Sequence, residues 1–348
     1  MPHAAIANHS PFALEVAFLA DPNSRPLVVP LVQASYSIGT GGALTLAPEQ
    51  KPPKLGGEFR GDPALASMKF EPQLAYMKLA TDVVLLGHAH APAGSRATHL
   101  QCGIRVGPVQ KLVNVIGDRV LVCRGGVAEI TPAQPFDRMP LIYERAFGGW
   151  DRRDPDPRRH RCERRNPVGT GFRAAVSEND ELRMPNLEDP QSPYRAYGDL
   201  PPPAGLGFVG PEWQPRASFA GTYDEQWSKS RKPLLPTDFD VRFFNAATPG
   251  LIAPGHLRGD EPVVVLNAAP EGRVAFNLPG VPPPSLRLEL RGRNRVVLQT
   301  QLDTVIVDMD TRLLMLLWRS FHPLSTGPHD VVGIELPAPD EPAAVAGH

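Results

Sequence analysis

Proline and glycine, more than any motif, limit what this chain can form. There are 41 Pro and 31 Gly among its 348 residues. A proline inside a helix removes a backbone donor and clashes with the preceding turn, and a glycine there loses the most backbone entropy. Few stretches of a dozen residues escape both, so long helices are excluded almost everywhere. The combined share stays below the roughly one quarter that marks low-complexity disorder. What it leaves is a chain of many short elements divided by turns.

Between the turns, period-two alternation dominates. Residues 27–38 (LVVPLVQASYSI) predict a strand in which Pro30 forces an edge or a bulge. Residues 74–86, 109–116 and 119–123 predict further strands, the last two forming a hairpin through Gly117-Asp118. Leu286, Leu288 and Leu290 alternate with Arg287, Glu289 and Arg291, the pattern of a half-solvated strand. Strands over 296–302, 304–309 and 313–318 follow, the last two as a hairpin around Asp310-Thr311-Arg312. The expected fold is all-β, mostly antiparallel and sandwich-like, with long irregular central loops and at most a few short helices. One helix is expected where Thr222 and Glu225 have capping-box spacing. Tyr223 and Trp227 would share a face of it, and Pro233 would bound it. The expected organisation is an N-terminal β region (1–147), a loop-rich connector (148–214), a C-terminal β region (215–325) and a terminal segment (326–348) that is frayed in part.

Composition excludes several functional classes. A formal net charge of −1 gives no footprint for nucleic acid or an anionic membrane. The longest apolar run, near Leu313–Trp318, is far too short to span a bilayer, and the first residues lack the basic start and apolar core of a secretory leader. Cys102, Cys123 and Cys162 are an odd number at wide spacing, which fits neither a disulfide framework nor a zinc pattern. A reducing cytoplasm is the expected compartment, with no cofactor.

Residues that could do chemistry are sparse. His88 and His90 are two apart and would face one side of a strand, as in β-barrel metal sites. No carboxylate follows at a supporting spacing, so solvated strand-end histidines are expected. Asp303, Asp308 and Asp310 cluster about the last hairpin. Capping of the turn is favoured there over cation binding or acid/base work. Asp224, Glu225, Asp238, Asp240, Asp260 and Glu261 lie among Trp213, Phe219, Tyr223, Trp227, Phe239, Phe243 and Phe244. This supports an alternative reading, an all-β glycan or peptide hydrolase using Asp and Glu side chains. The simpler reading makes the aromatics core and the acids turn caps. Residues 152–165 (RRDPDPRRHRCERR) hold seven Arg and three acids, suiting a solvated loop or a protein-docking loop. They lack the interleaved aromatics of a nucleic-acid platform. No phosphate cradle or GxSxG motif is present.

Four irregular, aromatic-rich blocks carry one further signal: Tyr143–Gly149 (YERAFGG), Asn166–Phe172 (NPVGTGF), Pro211–Trp227 (PEWQPRASFAGTYDEQW) and Leu234–Phe244 (LLPTDFDVRFF). They resemble the bacterial family catalogued as domain of unknown function 2169. Leu257–Glu261 (LRGDE) and Leu317–Phe321 (LWRSF) extend the resemblance over roughly residues 10–325. The resemblance implies a place in type VI secretion as a cytoplasmic adaptor or chaperone. Its partners would be a secreted toxic effector and a VgrG-like or PAAR-like spike component. It implies no catalytic, cofactor or metal residues. Trp and Arg often dominate interface centres. Arg145, Trp150, Trp213, Arg216, Tyr223 and Trp227 are therefore the candidate partner-binding residues, with burial in the core as the competing role for Trp213 and Trp227. A structural piece of the secretion particle is a further alternative.

Overall fold

A computed structural model describes residues 4–124, 127–175, 180–292 and 294–339. In chain order, the strands that build its three large sheets begin with β1 (Ala5–Asn8), β2 (Ala13–Ala20), β3 (Pro26–Ile38), β4 (Asp82–Leu86), β5 (His99–Val106) and β6 (Val109–Ile116). They continue with β7 (Pro262–Leu266), β8 (Arg273–Asn277), β9 (Ser285–Leu290), β10 (Asn294–Gln299), β11 (Gln301–Asp308), β12 (Leu313–Arg319) and β13 (Val331–Leu336). The fold is all-β and mostly antiparallel.

A seven-stranded sheet runs β2-β3-β12-β11-β4, with Leu44–Leu46 and His322–Pro323 also paired to β3. A five-stranded sheet runs Leu187–Glu188, β6, β5, β7, β8, and a four-stranded sheet runs β1-β13-β9-β10. Strands from 1–147 and from 215–325 thus share both of the larger sheets. The stretch 148–214 supplies Leu187–Glu188 as an edge strand, and Glu181–Arg183 pairs with Val120–Arg124. Within the terminal segment, β13 is an interior strand. The end of the expected frayed tail, 340–348, lies outside the described residues.

One apolar core joins the three sheets. Val32, Ala34, Val305, Val307, Leu314, Leu316 and Trp318 from the seven-stranded sheet meet Ile104, Val113 and Val265 of the second and Leu286, Leu288 and Ile334 of the third. The even positions of β3 face this core, as the period of two requires. Its odd positions face outward, first as Leu27, Val29 and Leu31 and then as Gln33 and Ser35. That outer face is covered by the irregular segment 47–81, while 208–252 runs along β4, where Val83 N donates to the Leu251 carbonyl (2.9 Å). The cover is tied down by buried charged pairs rather than by apolar contact alone. The Lys78 ammonium donates to Asp82 (2.8 Å) and Thr304 (2.9 Å), and Arg319 pairs with Asp303 while donating to the Gln73 carbonyl (2.9 Å).

Several expectations change. Pro30 lies in an interior strand, not at an edge. Its carbonyl accepts from Ser320 N, where β12 has ended and His322–Pro323 has not begun, so the missing donor falls at a gap in the neighbouring strand. Only Asp82–Leu86 of the predicted 74–86 strand is extended ladder, because the preceding residues belong to the cover. β6 pairs with β5 through Gly107-Pro108, and residues 120–124 belong to another sheet. Gly117 is glycine for a different reason from the one expected: a Cβ there would stand 1.7 Å from the Gln134 carbonyl oxygen. The hairpin β11–β12 forms where alternation placed it, whereas the expected strands 296–302 and 304–309 divide at Thr300, and β9 pairs with β10 in an unexpected hairpin. The short helix α1 spans Glu225–Ser230, but its cap is Asp224, which accepts from Trp227 N (2.7 Å). Thr222 instead donates to Asp238 through both its amide (2.9 Å) and its hydroxyl (2.8 Å).

Candidate partner-binding surface

A ridge of aromatic rings runs where the cover meets segment 208–252. Phe321 meets Tyr76 edge-on (centroids 6.0 Å apart), Tyr76 meets Phe244 (5.2 Å), Phe244 meets Phe239 (5.3 Å) and Phe239 meets Phe243 (5.7 Å). Phe321 is exposed and the other four rings are half-buried. They come from three distant parts of the chain, placed by two facing 3-10 turns, Arg216–Phe219 and Val241–Phe244, and by the end of β12. Asp240 N donates to the Phe219 carbonyl (2.9 Å) and fixes one turn against the other. Two guanidinium groups stack on the array. Arg216 lies over Phe243 (4.7 Å) and Arg242 over Phe219 (4.4 Å).

Beside the ridge opens a cavity of about 320 Å³, lined by Leu79, Val209, Phe219, Pro249 and Ile252, with Arg216, Arg242 and Asn245 as its polar members. No lining residue is a carboxylate. Leu79 and Ile252 are exposed at its mouth. The Arg242 guanidinium beside Asp240 holds that carboxyl below the usual range, and burial pushes the Tyr76 phenol up. Both groups therefore keep one charge state around neutral pH. Such a surface can accept an apolar anchor from a partner. The cavity itself is lined by no carboxylate, histidine, cysteine or tyrosine.

The predicted partner-binding residues divide by burial. Arg216 is 5% exposed and paired with Glu71 (3.0 Å), and it donates to the carbonyls of Phe243 (2.8 Å) and Val209 (2.9 Å). Trp213 is 8% exposed and packs edge-on against Tyr143 (5.2 Å). These two are framework. Tyr223 (52% exposed) and Trp150 (43% exposed) reach solvent, the former edge-on to Trp227 (4.7 Å) and the latter beneath Arg152 (4.7 Å). Trp227 is half-buried and donates through its indole N–H to the Leu234 carbonyl (2.8 Å). Arg145 donates to Asp118 (3.0 Å) and Asn186 (2.9 Å). The structure does not gather the six into one patch. The ridge members Tyr76 and Phe321, and the mouth residues Leu79 and Ile252, escaped the sequence reading.

The other candidate clusters resolve into local pairs. His88 Nδ1 lies 2.8 Å from Asp310 and 2.9 Å from Arg138, which joins two candidates that sequence kept apart. His90 lies on the same short strand, His88–His90. Asp308 accepts from the amides of Asp310 (3.0 Å) and Thr311 (3.2 Å), the expected turn cap, and Asp303 is buried against Arg319. Among the described residues, no group of three or more His, Cys, Asp or Glu could hold a metal. Of the acids expected to serve a hydrolase, Asp224 caps α1, Glu225 pairs with Lys229, Asp238 holds Thr222, Asp240 pairs with Arg242, Asp260 pairs with Arg258, and Glu261 accepts from Arg258 N and Gly259 N. The aromatics among them are not all core, as the half-buried ridge shows.

The family-like blocks interlock around this surface. Asn166 donates to the carbonyls of Tyr143 (2.8 Å) and Phe147 (3.0 Å), and Phe147-Gly148 pairs with Thr170-Gly171. Trp213 then closes on Tyr143, and Arg216 closes on Phe243. A family model described as "Uncharacterized protein conserved in bacteria (DUF2169)" matches residues 23–319, well over half the chain. The chain belongs to this family. No curated protein and no solved structure matches it. The DUF2169 match contains all four principal blocks, and as a family of unknown function it offers no evidence of catalysis. No described helix is long and apolar enough to cross a membrane.

Proposed function

We propose that this DUF2169 protein is a non-catalytic adaptor. It binds a secreted toxic effector in the cytoplasm and helps load it onto the VgrG-like or PAAR-like spike of a type VI secretion system. The observation that carries the binding part is the ridge of five rings, four half-buried and one exposed, beside a cavity that has no carboxylate. Rings with one wet face and stacked guanidinium groups are the composition of interface hot spots. The setting in secretion follows from the family resemblance of the blocks. The charged side chains of the region are engaged in local pairs, which suits a rigid scaffold offering an apolar surface.

Sedimentation of assembled spikes tests this reading against a structural role. An adaptor is recovered in sub-stoichiometric amount and only when its toxin is present. Recovery in fixed stoichiometry, with or without toxin, would make the chain a structural part of the particle instead.

A further inference from the structure

A second cavity, of about 340 Å³, lies under the 47–73 part of the cover. Its apolar surface is Ile306, Leu313 and Met315 from the outward face of β11 and β12, together with Phe70. Its mouth holds Lys51, Lys54 and Lys69, with side chains 43%, 52% and 37% exposed. The chain has only seven lysines against 29 arginines, so three at one cavity are a local concentration of flexible point charges. Two of them flank one ring. Lys54 Nζ is 5.6 Å and Lys69 Nζ is 5.2 Å from the Phe70 centroid. A carboxylate already bridges that pair: Glu58 accepts from Lys54 (2.9 Å) and lies 3.3 Å from Lys69.

At the mouth, Lys51 is paired with Glu49 (2.7 Å), while Lys54 and Lys69 share a single carboxylate. Glu71 is matched by Arg216, and Asp308 is turned into its hairpin. Two ammonium groups, Lys54 and Lys69, against the one carboxylate of Glu58 then leave the mouth one positive charge in excess. The exposed mouth is cationic and the floor is apolar, so the geometry points to an amphiphilic anion with its head at the mouth.

We propose that this cavity binds a small monocarboxylate with an apolar body. The body would lie on Phe70, Ile306, Leu313 and Met315. The carboxylate would be held between Lys54 and Lys69, in competition with Glu58. This site stands independently of the adaptor reading, because it uses neither the ridge nor its cavity.

Titration calorimetry on the full chain tests it, with octanoate, octanol and octylammonium as probes. Octanoate is expected to bind at least about tenfold more tightly than either of the others. Lys54→Ala and Lys69→Ala should each weaken octanoate by roughly tenfold, whereas Lys229→Ala, a lysine outside the cavity, should not change it. Glu58→Gln should tighten it, because it removes the resident competitor. That sign distinguishes binding from a structural role for the mouth. All four residues have exposed side chains, and a thermal melt checks that each variant folds. No octanoate binding, equal affinity for the three head groups, or weakening by Glu58→Gln would overturn the proposal.

Discussion

At the residue scale, Arg216 is a buried member of the cavity wall and stacks on Phe243 of the ridge. Replacing it with Ala strands the Glu71 carboxylate in a buried site, which costs about 3–5 kcal/mol in urea unfolding. Trp213→Ala should cost a similar ~3–5 kcal/mol through the cavity it leaves against Tyr143. Trp150→Ala and Tyr223→Ala, both at exposed rings, should stay within about 1 kcal/mol of the parent. Near-equal costs across the four would contradict the division by burial. Asp330 carries a pH signature. Hydrogen bonds from the Thr326 hydroxyl and amide hold its pKa down to about 2. A depressed folded pKa stabilises above the unfolded value of ~3.9, and that contribution is lost as pH falls through about 2. The stability gap between the parent and Asp330→Asn should therefore be flat from neutral pH to ~5 and close by pH ~2. A gap independent of pH would refute the assignment. Sequence gave Trp213 and Arg216 the right types for an interface, but type does not reveal burial. Tyr76, Leu79, Ile252 and Phe321 were invisible because segments far apart in the chain bring them together.

At the scale of elements, the Asn166 side chain buttresses the pairing of Phe147-Gly148 with Thr170-Gly171. Asn166→Ala would leave the Phe147 carbonyl without its side-chain donor and the Tyr143 carbonyl with the Ala146 amide (3.0 Å) alone, at a cost of about 1–3 kcal/mol by thermal or urea unfolding. A cost under ~0.5 kcal/mol would mean that other groups satisfy them. Gly148 explains part of the YERAFGG block. At φ 153°, a Cβ there would lie 2.1 Å from the Asn166 carbonyl oxygen, so the residue marks a close approach. Strand β9 was legible because Leu286 and Leu288 are buried while Arg287 and Glu289 are half-exposed, and alternation reports that directly. The pairing of 109–116 was not legible, because Gly117 serves contact with Gln134 and not a tight turn. Residues 74–81 alternate without joining a ladder, since buried Lys78 and Ala80 are held by Asp82, Thr304 and Asn245.

For the whole molecule, the interleaving of early and late strands is the controlling fact. β3 lies between β2 and β12, and β5 lies between β6 and β7. A fragment ending at residue 214 leaves β3 and β5 each without a partner strand. We expect it to lack a cooperative melt by circular dichroism, and the full chain to unfold in one transition. A cooperative melt from residues 1–147 alone would show a separable module. Two of the three thiols are shielded, Cys102 in the main core and Cys123 in a separate apolar cluster with Leu121, Phe147 and Leu182. Burial pushes Cys102 up to about 12, and Cys123 is also buried, whereas Cys162 is partly exposed. A thiol reagent should titrate one cysteine in the native chain and three in urea.

The central claim is that the ridge and its cavity hold the partner. It is tested most directly by affinity capture from a bacterium whose secretion genes are active, with the parent chain compared to Leu79→Asp/Ile252→Asp. Both positions are exposed at the cavity mouth, and an unchanged melt would show that the variant folds. The account predicts that the parent retains a toxin together with a spike or tip protein, and that the double variant loses the toxin. Retention of neither by the parent, or of equal amounts by both chains, would contradict it.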